Sequence, residues 1–189
     1  GECQLQDLAV GYGGSASRYA EPKRVVFHKD LGPLVSAEEM ARCIQCTRCV
    51  RFGQEIAGVM ELGMIGRGEH SEIVAFVGQG VDSELSGNMI DICPVGALTS
   101  KDFRFQMRVW FLKETKSVCT SCATGCNVLI SSREEKIYRY TPRDNDAVNG
   151  PWMCDAGRLN YKWIHRADRL KEVLVRGQKS SWTAGLSEI

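Results

Sequence analysis

The residues of this chain whose spacing points to chemistry are its cysteines. There are nine, and they fall into two sets of four with one left over. Cys43, Cys46 and Cys49 read C-x2-C-x2-C, and Cys93 follows at a distance, directly before Pro94. Cys119, Cys122 and Cys126 read C-x2-C-x3-C, and Cys154 comes 28 positions after the third, within Gly150-Pro151-Trp152-Met153-Cys154. Cys3 stands alone. A disulfide framework belongs to small secreted domains in oxidising compartments, and it suits neither an odd count nor thiols spaced in threes. Buried inert cysteines give no reason for such tight spacing twice. Metal ligation survives. A structural zinc is gripped by two separated pairs. A triplet plus one remote cysteine is the three-plus-one arrangement of a cubane [4Fe–4S] cluster, three thiolates on one loop and a distant one at the fourth corner. The spacing favours iron–sulfur in both sets, with a structural zinc module in an assembly or nucleic-acid protein as the rival from another class. In two-cluster ferredoxins three residues separate the third cysteine from a fourth that serves the other cluster. Gly53 occupies that offset, so the first region is expected to hold one cluster.

Other chemistry-bearing residues read more plainly. His28, His70 and His165 have no ligand partner at metal spacing and are expected at the surface or in satisfied core roles. Arg48 and Arg51 flank the first triplet. They are either solvated charges or a positive environment that favours the reduced, more negative cluster. Trp152 and Trp163 read as core. Gly11-Tyr12-Gly13-Gly14 does not join a strand to a helix and is a loop rather than a phosphate cradle. Nothing forms an acid–base or nucleophilic set.

These ligands need elements to hold them. The chain has 189 residues, 43% hydrophobic and 25% charged, which is ordinary globular composition for one domain or two small ones. A net charge of +1 gives no electrostatic case for nucleic acid or acidic membrane. The longest apolar run, Ile73 to Val77, is five residues, too short to span a bilayer. The chain opens on Gly1 with no secretory leader. Leu5, Leu8 and Ala9 predict an N-terminal helix, and Gly11 to Ser17 a loop. Val25-Val26-Phe27 predicts a strand. Ser36-Ala37-Glu38-Glu39 reads as a capping box opening a helix towards the first ligands. A helix over Val50 to Ala57 would place the triplet at a helix–loop–helix junction. Strands are expected at Ile73 to Val77, Val128 to Ile130 and Ile137 to Tyr140, helical turns around Cys93, and a helix over Ala156 to Ile164. Cluster binding would be linked to folding, leaving the metal-free chain poorly stable.

Gly1-Glu2-Cys3-Gln4-Leu5-Gln6-Asp7-Leu8-Ala9, the run Arg42 to Arg51 and Asp91-Ile92-Cys93-Pro94-Val95-Gly96-Ala97-Leu98 resemble the G-type iron–sulfur subunit of bacterial NADH:quinone oxidoreductase, respiratory complex I. The resemblance covers nearly the whole chain. It implies an α+β fold in four parts: residues 1–30, the tail of a His/Cys3-ligated cluster domain; 31–110, a small ferredoxin-like [4Fe–4S] domain; 111–168, a small β-rich [4Fe–4S] domain of the molybdopterin-oxidoreductase type; and 169–189, the start of a molybdopterin-like domain. It implies one [4Fe–4S] cluster on Cys43, Cys46, Cys49 and Cys93 and a second on Cys119, Cys122, Cys126 and Cys154. Cys3 would be a partial ligand of an upstream cluster, the chain an internal fragment, and further [2Fe–2S] and [4Fe–4S] clusters would belong to the intact subunit. The implied function is a one-electron relay from NADH and flavin toward quinone, with the second cluster structural. Partners would be the flavin- and NADH-binding subunit and cluster-bearing neighbours of the hydrophilic arm, peripheral on the cytoplasmic side of a bacterial inner membrane, with neither nucleic acid nor a membrane span. Mitochondrial members generally lack the second set, which implies a bacterial source. A formate dehydrogenase or NAD-reducing hydrogenase is the alternative. Gly53 and Ala156 count against it, because Ala156 stands where molybdopterin enzymes place a lysine between cluster and pterin. No molybdopterin is therefore expected.

Overall fold

A computed structural model describes residues 2–14 and 16–188, with only the backbone of Val77. Gly1, Ser15 and Ile189, which belong to the N-terminal motif, the Gly-Ser loop and the tail, lie outside the described residues. The architecture mixes short helices with small antiparallel sheets, as the α+β expectation requires.

Two cores sit side by side. The first is built on a three-stranded antiparallel sheet of β1 (Lys29–Asp30), β2 (Val35–Ala37) and β5 (Thr99–Ser100), in that order. A hairpin of β3 (Leu62–Ile65) and β4 (Glu72–Ala75) packs alongside, pairing Leu62 with Ala75 and Ile65 with Glu72. Helix α2 (Arg48–Arg51) runs into a π-helical turn, Phe52–Ala57, and α3 (Asn88–Ile92) leads to Cys93. Leu31, Val35, Met40, Phe52, Met89, Ile90 and Leu98 are buried at its centre.

The second core is a meander of β6 (Lys113–Val118), β7 (Asn127–Arg133) and β8 (Lys136–Pro142). Glu134 and Glu135 turn the β7–β8 hairpin with φ of +50° and +62°. Both central residues of a two-residue hairpin loop then adopt the left-handed conformation that matches strand twist. Its buried hydrophobic cluster is small, Cys119, Val128 and Met153, with Cys126, Ile130 and Tyr140 against them. So small a core cannot by itself offset the entropy of ordering its chain. Helix α4 (Asp155–Leu159) and a 3₁₀ segment, Asn160–His165, complete it. At the ends, α1 (Gln4–Tyr12) precedes the first core, and a hairpin of β9 (Val173–Val175) and β10 (Gln178–Ser180) with α5 (Trp182–Ser187) follows the second.

Several local expectations differ from these elements. Ser36 opens no helix. Its backbone pairs with Asp30 and Thr99, its hydroxyl accepts a 2.6 Å hydrogen bond from Arg104, and Glu39 turns to Arg104 and Arg42. Sheet pairing across the domain overrides the capping box, and only a 3₁₀ turn, Met40–Arg42, follows. Val25 to Phe27 forms no strand, and pairing begins at Lys29 instead. The Ile73 to Val77 run ends as a strand at Ala75 and turns into 3₁₀ geometry. Trp163 is half-exposed beneath the Arg169 guanidinium rather than in the core, whereas Trp152 packs on Phe52 with centroids 4.9 Å apart.

Candidate metal centres

The first triplet lies on a loop whose backbone is coiled by two left-handed non-glycine residues, Gln45 at φ +51° and Thr47 at +60°, on either side of Cys46. Such conformations persist only where the surroundings over-determine them. The Gln45 side chain donates to the Cys43 carbonyl at 2.9 Å and the Thr47 hydroxyl to the Cys46 carbonyl at 2.8 Å, fixing the coil. The Gln45 amide donates to Cys43 Sγ at 3.4 Å. Cys93, C-cap of α3, comes from the opposite side. All four thiols line one small cavity whose other walls are mostly apolar, among them Met40, Ile73, Val95 and Leu98. Cys46 is exposed at its mouth and the other three are half-buried. Arg48 lines the same cavity, while Arg51 is engaged by Glu55 at 2.9 Å. The two flanking arginines therefore separate: Arg48 faces the site and Arg51 is a paired surface charge.

The second quartet converges at the end of the meander. The Cys119 amide donates to the Cys126 carbonyl at 2.8 Å, closing the loop that carries Cys122 at its exposed tip. Cys154 caps α4, its Sγ accepting from the Gly157 amide at 3.4 Å. Gly157 has no side chain to spare: a Cβ there would lie 3.2 Å from Cys119 Sγ and 3.4 Å from Cys154 Sγ. Asn149 ties the ligand loops together, accepting from the Asn127 amide at 2.9 Å and donating to the Trp152 carbonyl at 3.0 Å.

The electrostatics agree with this clustering. Burial pushes the Cys49 thiol up to about 12, and Cys93, Cys43 and Cys46 add to the rise. Burial likewise raises Cys126, reinforced by Cys119, Cys154 and Cys122. Cys49 and Cys126 each feel the three other members of their own set. Among the described residues, no three His, Cys, Asp or Glu side chains converge on a point that one ion could occupy. A single zinc would hold every thiolate ~2.3 Å from one point. Four thiols spread around a shared apolar cavity instead fit the corners of a multinuclear cluster.

Cys3 joins neither set. It is buried, its Sγ accepts from the Gln6 amide at 3.3 Å, and it packs on Gly96, where a Cβ would come within 2.7 Å of its own. His28 and His70 are exposed, and His165 accepts from the Ile137 amide at 2.9 Å, so the bland reading of all three holds. Spacing gave no hint of the residues that join the two centres, Asn88, Asp91, Asp155 and Arg158. The available signal was that Arg158 lies one helical turn beyond Cys154 and Asp91 two residues before Cys93.

Known proteins match along this layout. The ferredoxin-like domain of NADH-quinone oxidoreductase subunit 3 matches residues 32–99, and the molybdopterin oxidoreductase Fe4S4 domain matches residues 112–166. The mitochondrial NADH dehydrogenase [ubiquinone] iron-sulfur protein 1 of Solanum tuberosum is 48% identical over 99% of this chain and 26% of its own length. The G-type subunit of NADH-quinone oxidoreductase from Rickettsia conorii is 45% identical over all of this chain and 28% of its own, and that of Rickettsia prowazekii is 50% identical over 93% and 26%. The chain thus spans about a quarter of the length of these relatives. No helix among the described residues is long and apolar enough to cross a membrane. With two iron–sulfur domain matches in series and close to half its residues identical to proteins from bacteria and a mitochondrion, the chain belongs to the family of G-type iron–sulfur subunits of NADH-quinone oxidoreductase.

Proposed function

We propose that the chain is a one-electron relay segment of an NADH:quinone oxidoreductase, carrying single electrons from the NADH-oxidising flavin toward quinone. One observation carries the reading: Cys93, brought by α3, completes the cavity that Cys43, Cys46 and Cys49 line. Cys119, Cys122, Cys126 and Cys154 form the second ligand set. When bound, [4Fe–4S] clusters supply reversible one-electron chemistry. The chain's own residues do the rest. Cys43, Cys49 and Cys126, held neutral by burial, give up protons on loading, so occupancy falls as pH falls. Apolar walls exclude water from the first site, and the Gln45 and Gly157 amides point at ligand sulfurs.

The flavin- and NADH-binding subunit and cluster-bearing neighbours of the hydrophilic arm are the partners, peripheral on the cytoplasmic side of a bacterial inner membrane. Cys3, buried against the Cys93 loop, is a ligand to an upstream His/Cys3 cluster. The second cluster braces the structure. The decisive experiment is anaerobic purification with iron, acid-labile sulfide and zinc analysis. About eight irons and eight sulfides per chain are expected from these two sets, and zinc without sulfide overturns the proposal. EPR of the reduced protein that is unchanged by Cys93→Ala overturns the ligand set of the first site.

A further inference from the structure

Helix α3 presents Cys93 at its end, yet both of its ends are held by the segment carrying Cys154. At its start, N-cap Gly87 has no capping side chain of its own. The Gly87 amide donates to Asp155 Oδ1 at 2.8 Å and the Ser86 hydroxyl to Oδ2 at 2.6 Å. At its first residue, fully buried Asn88 donates to the Met153 carbonyl at 2.8 Å and accepts from the Met153 amide at 3.1 Å. At its end, the Arg158 guanidinium grips both carboxylate oxygens of Asp91, at 2.5 and 3.2 Å. The contact is close enough that a Cβ on Gly87 would lie 2.4 Å from Arg158 Nε.

The last of these contacts has an electrostatic consequence. The Arg158 side chain is 7% exposed and that of Asp91 23%, so water screens the pair poorly. Asp91 is two residues from the first site's remote ligand, and among the described residues its carboxylate is paired only from the second domain. A bare carboxylate there would oppose addition of an electron to the first site. On the reading that the quartets hold clusters, we propose that Arg158 is a positioning residue for the redox poise of the first site. It keeps Asp91 charge-balanced, so that the second domain sets a potential in the first.

The test is a redox titration of the anaerobically isolated holoprotein, following the EPR signal of the first site, with iron and sulfide counted in every sample. Arg158→Gln strands one negative charge. It is expected to lower the reduced-to-oxidised ratio at a fixed poise roughly tenfold, the effect of a unit charge about 10 Å away at an effective dielectric near 20, equivalent to about 59 mV. Arg158→Lys, which keeps the charge and loses the fork, is expected to stay within about threefold of wild type. Arg158→Gln combined with Asp91→Asn is expected to return close to wild type. A purely structural role would leave Arg158→Lys as impaired as Arg158→Gln and the double variant worse. That pattern, or a change under about twofold in Arg158→Gln at full iron content, overturns the proposal. If Arg158→Gln does not accumulate, Asp91→Asn alone strands the opposite charge and must raise the ratio; no rise overturns the proposal. Wild-type protein lacking iron and sulfide would instead overturn the cluster reading itself, an outcome distinguished by the metal count alone.

Discussion

Asn88→Ala is the substitution whose cost the structure defines most closely. Asn88 has no exposed surface, and Met153, whose amide and carbonyl it satisfies, is 2% exposed. Truncation leaves one donor and one acceptor buried without partners, each costing ~1–3 kcal/mol. With the small void added, the loss is about 3–5 kcal/mol, a large share of the ~5–15 kcal/mol that holds a domain folded. The same contact joins α3 to the Cys154 segment, so its loss should also separate the unfolding of the two domains. Urea denaturation of the anaerobic holoprotein, followed by far-UV circular dichroism and by cluster absorbance, reads both effects. At an m-value of ~2 kcal/mol/M the midpoint should fall by about 2 M, and the two probes should part. Asn88→Leu fills most of the void and still orphans Met153, so most of the cost should persist. A midpoint shift under ~0.5 M with coincident probes in Asn88→Ala would refute the reasoning, because the Met153 groups would then have found other partners.

Gly157→Ala places a methyl against Cys119 Sγ and Cys154 Sγ, so iron should leave the second site to a chelator about tenfold faster while the first site holds; equal rates would show that the site has slack. Gly96 sits at φ +64° with a Cβ position 2.7 Å from that of Cys3. Gly96→Ala should lift the N-terminal segment and speed alkylation of Cys3 at least tenfold, followed by mass spectrometry; an unchanged rate would mean that Gly96 does not seat it. Burial pushes the Tyr161 phenol up to about 12, with Asp102 and Glu2 adding to the rise. A folded value above the unfolded ~10 stabilises the fold fully below pH 10, and that contribution is lost as pH climbs from 10 through about 12. Absorbance at 295 nm should show at least one tyrosine titrating well above 10 in native protein and none in urea, and native titration of all near 10 would contradict the placement.

Legibility followed sequence separation. The two triplets are local, so their spacing alone named the candidate ligands, and Pro94 marked the remote one. The β7–β8 hairpin was equally plain, its apolar runs Val128 to Ile130 and Ile137 to Tyr140 separated by six residues that contain a short turn. What the sequence concealed were the contacts made across long spans. The bonds from Asn88 to Met153 and from Arg158 to Asp91 close gaps of 65 and 67 residues. Ser36 carried a true helix-start pattern, and pairing with strands on both sides of it in the fold, one of them beyond residue 98, made it a strand. Arg48 and Arg51 looked equivalent until the direction of α2 turned one to the thiols and the other to Glu55.

Those long-range contacts also support the bracing role proposed for the second centre. A buried hydrophobic cluster as small as Cys119, Val128 and Met153 cannot hold the meander together alone. The hydrogen bonds and ion pair between 153–158 and 86–91 supply part of the deficit, and occupancy of the second quartet would supply the rest by fixing Cys154 at the head of α4. Because the same segment holds α3 at both ends, order in the second domain is order for Cys93. A second centre that never passed an electron would still act on the first. On this account the cost of losing the second quartet falls first on the geometry of the first, before any partner surface is involved.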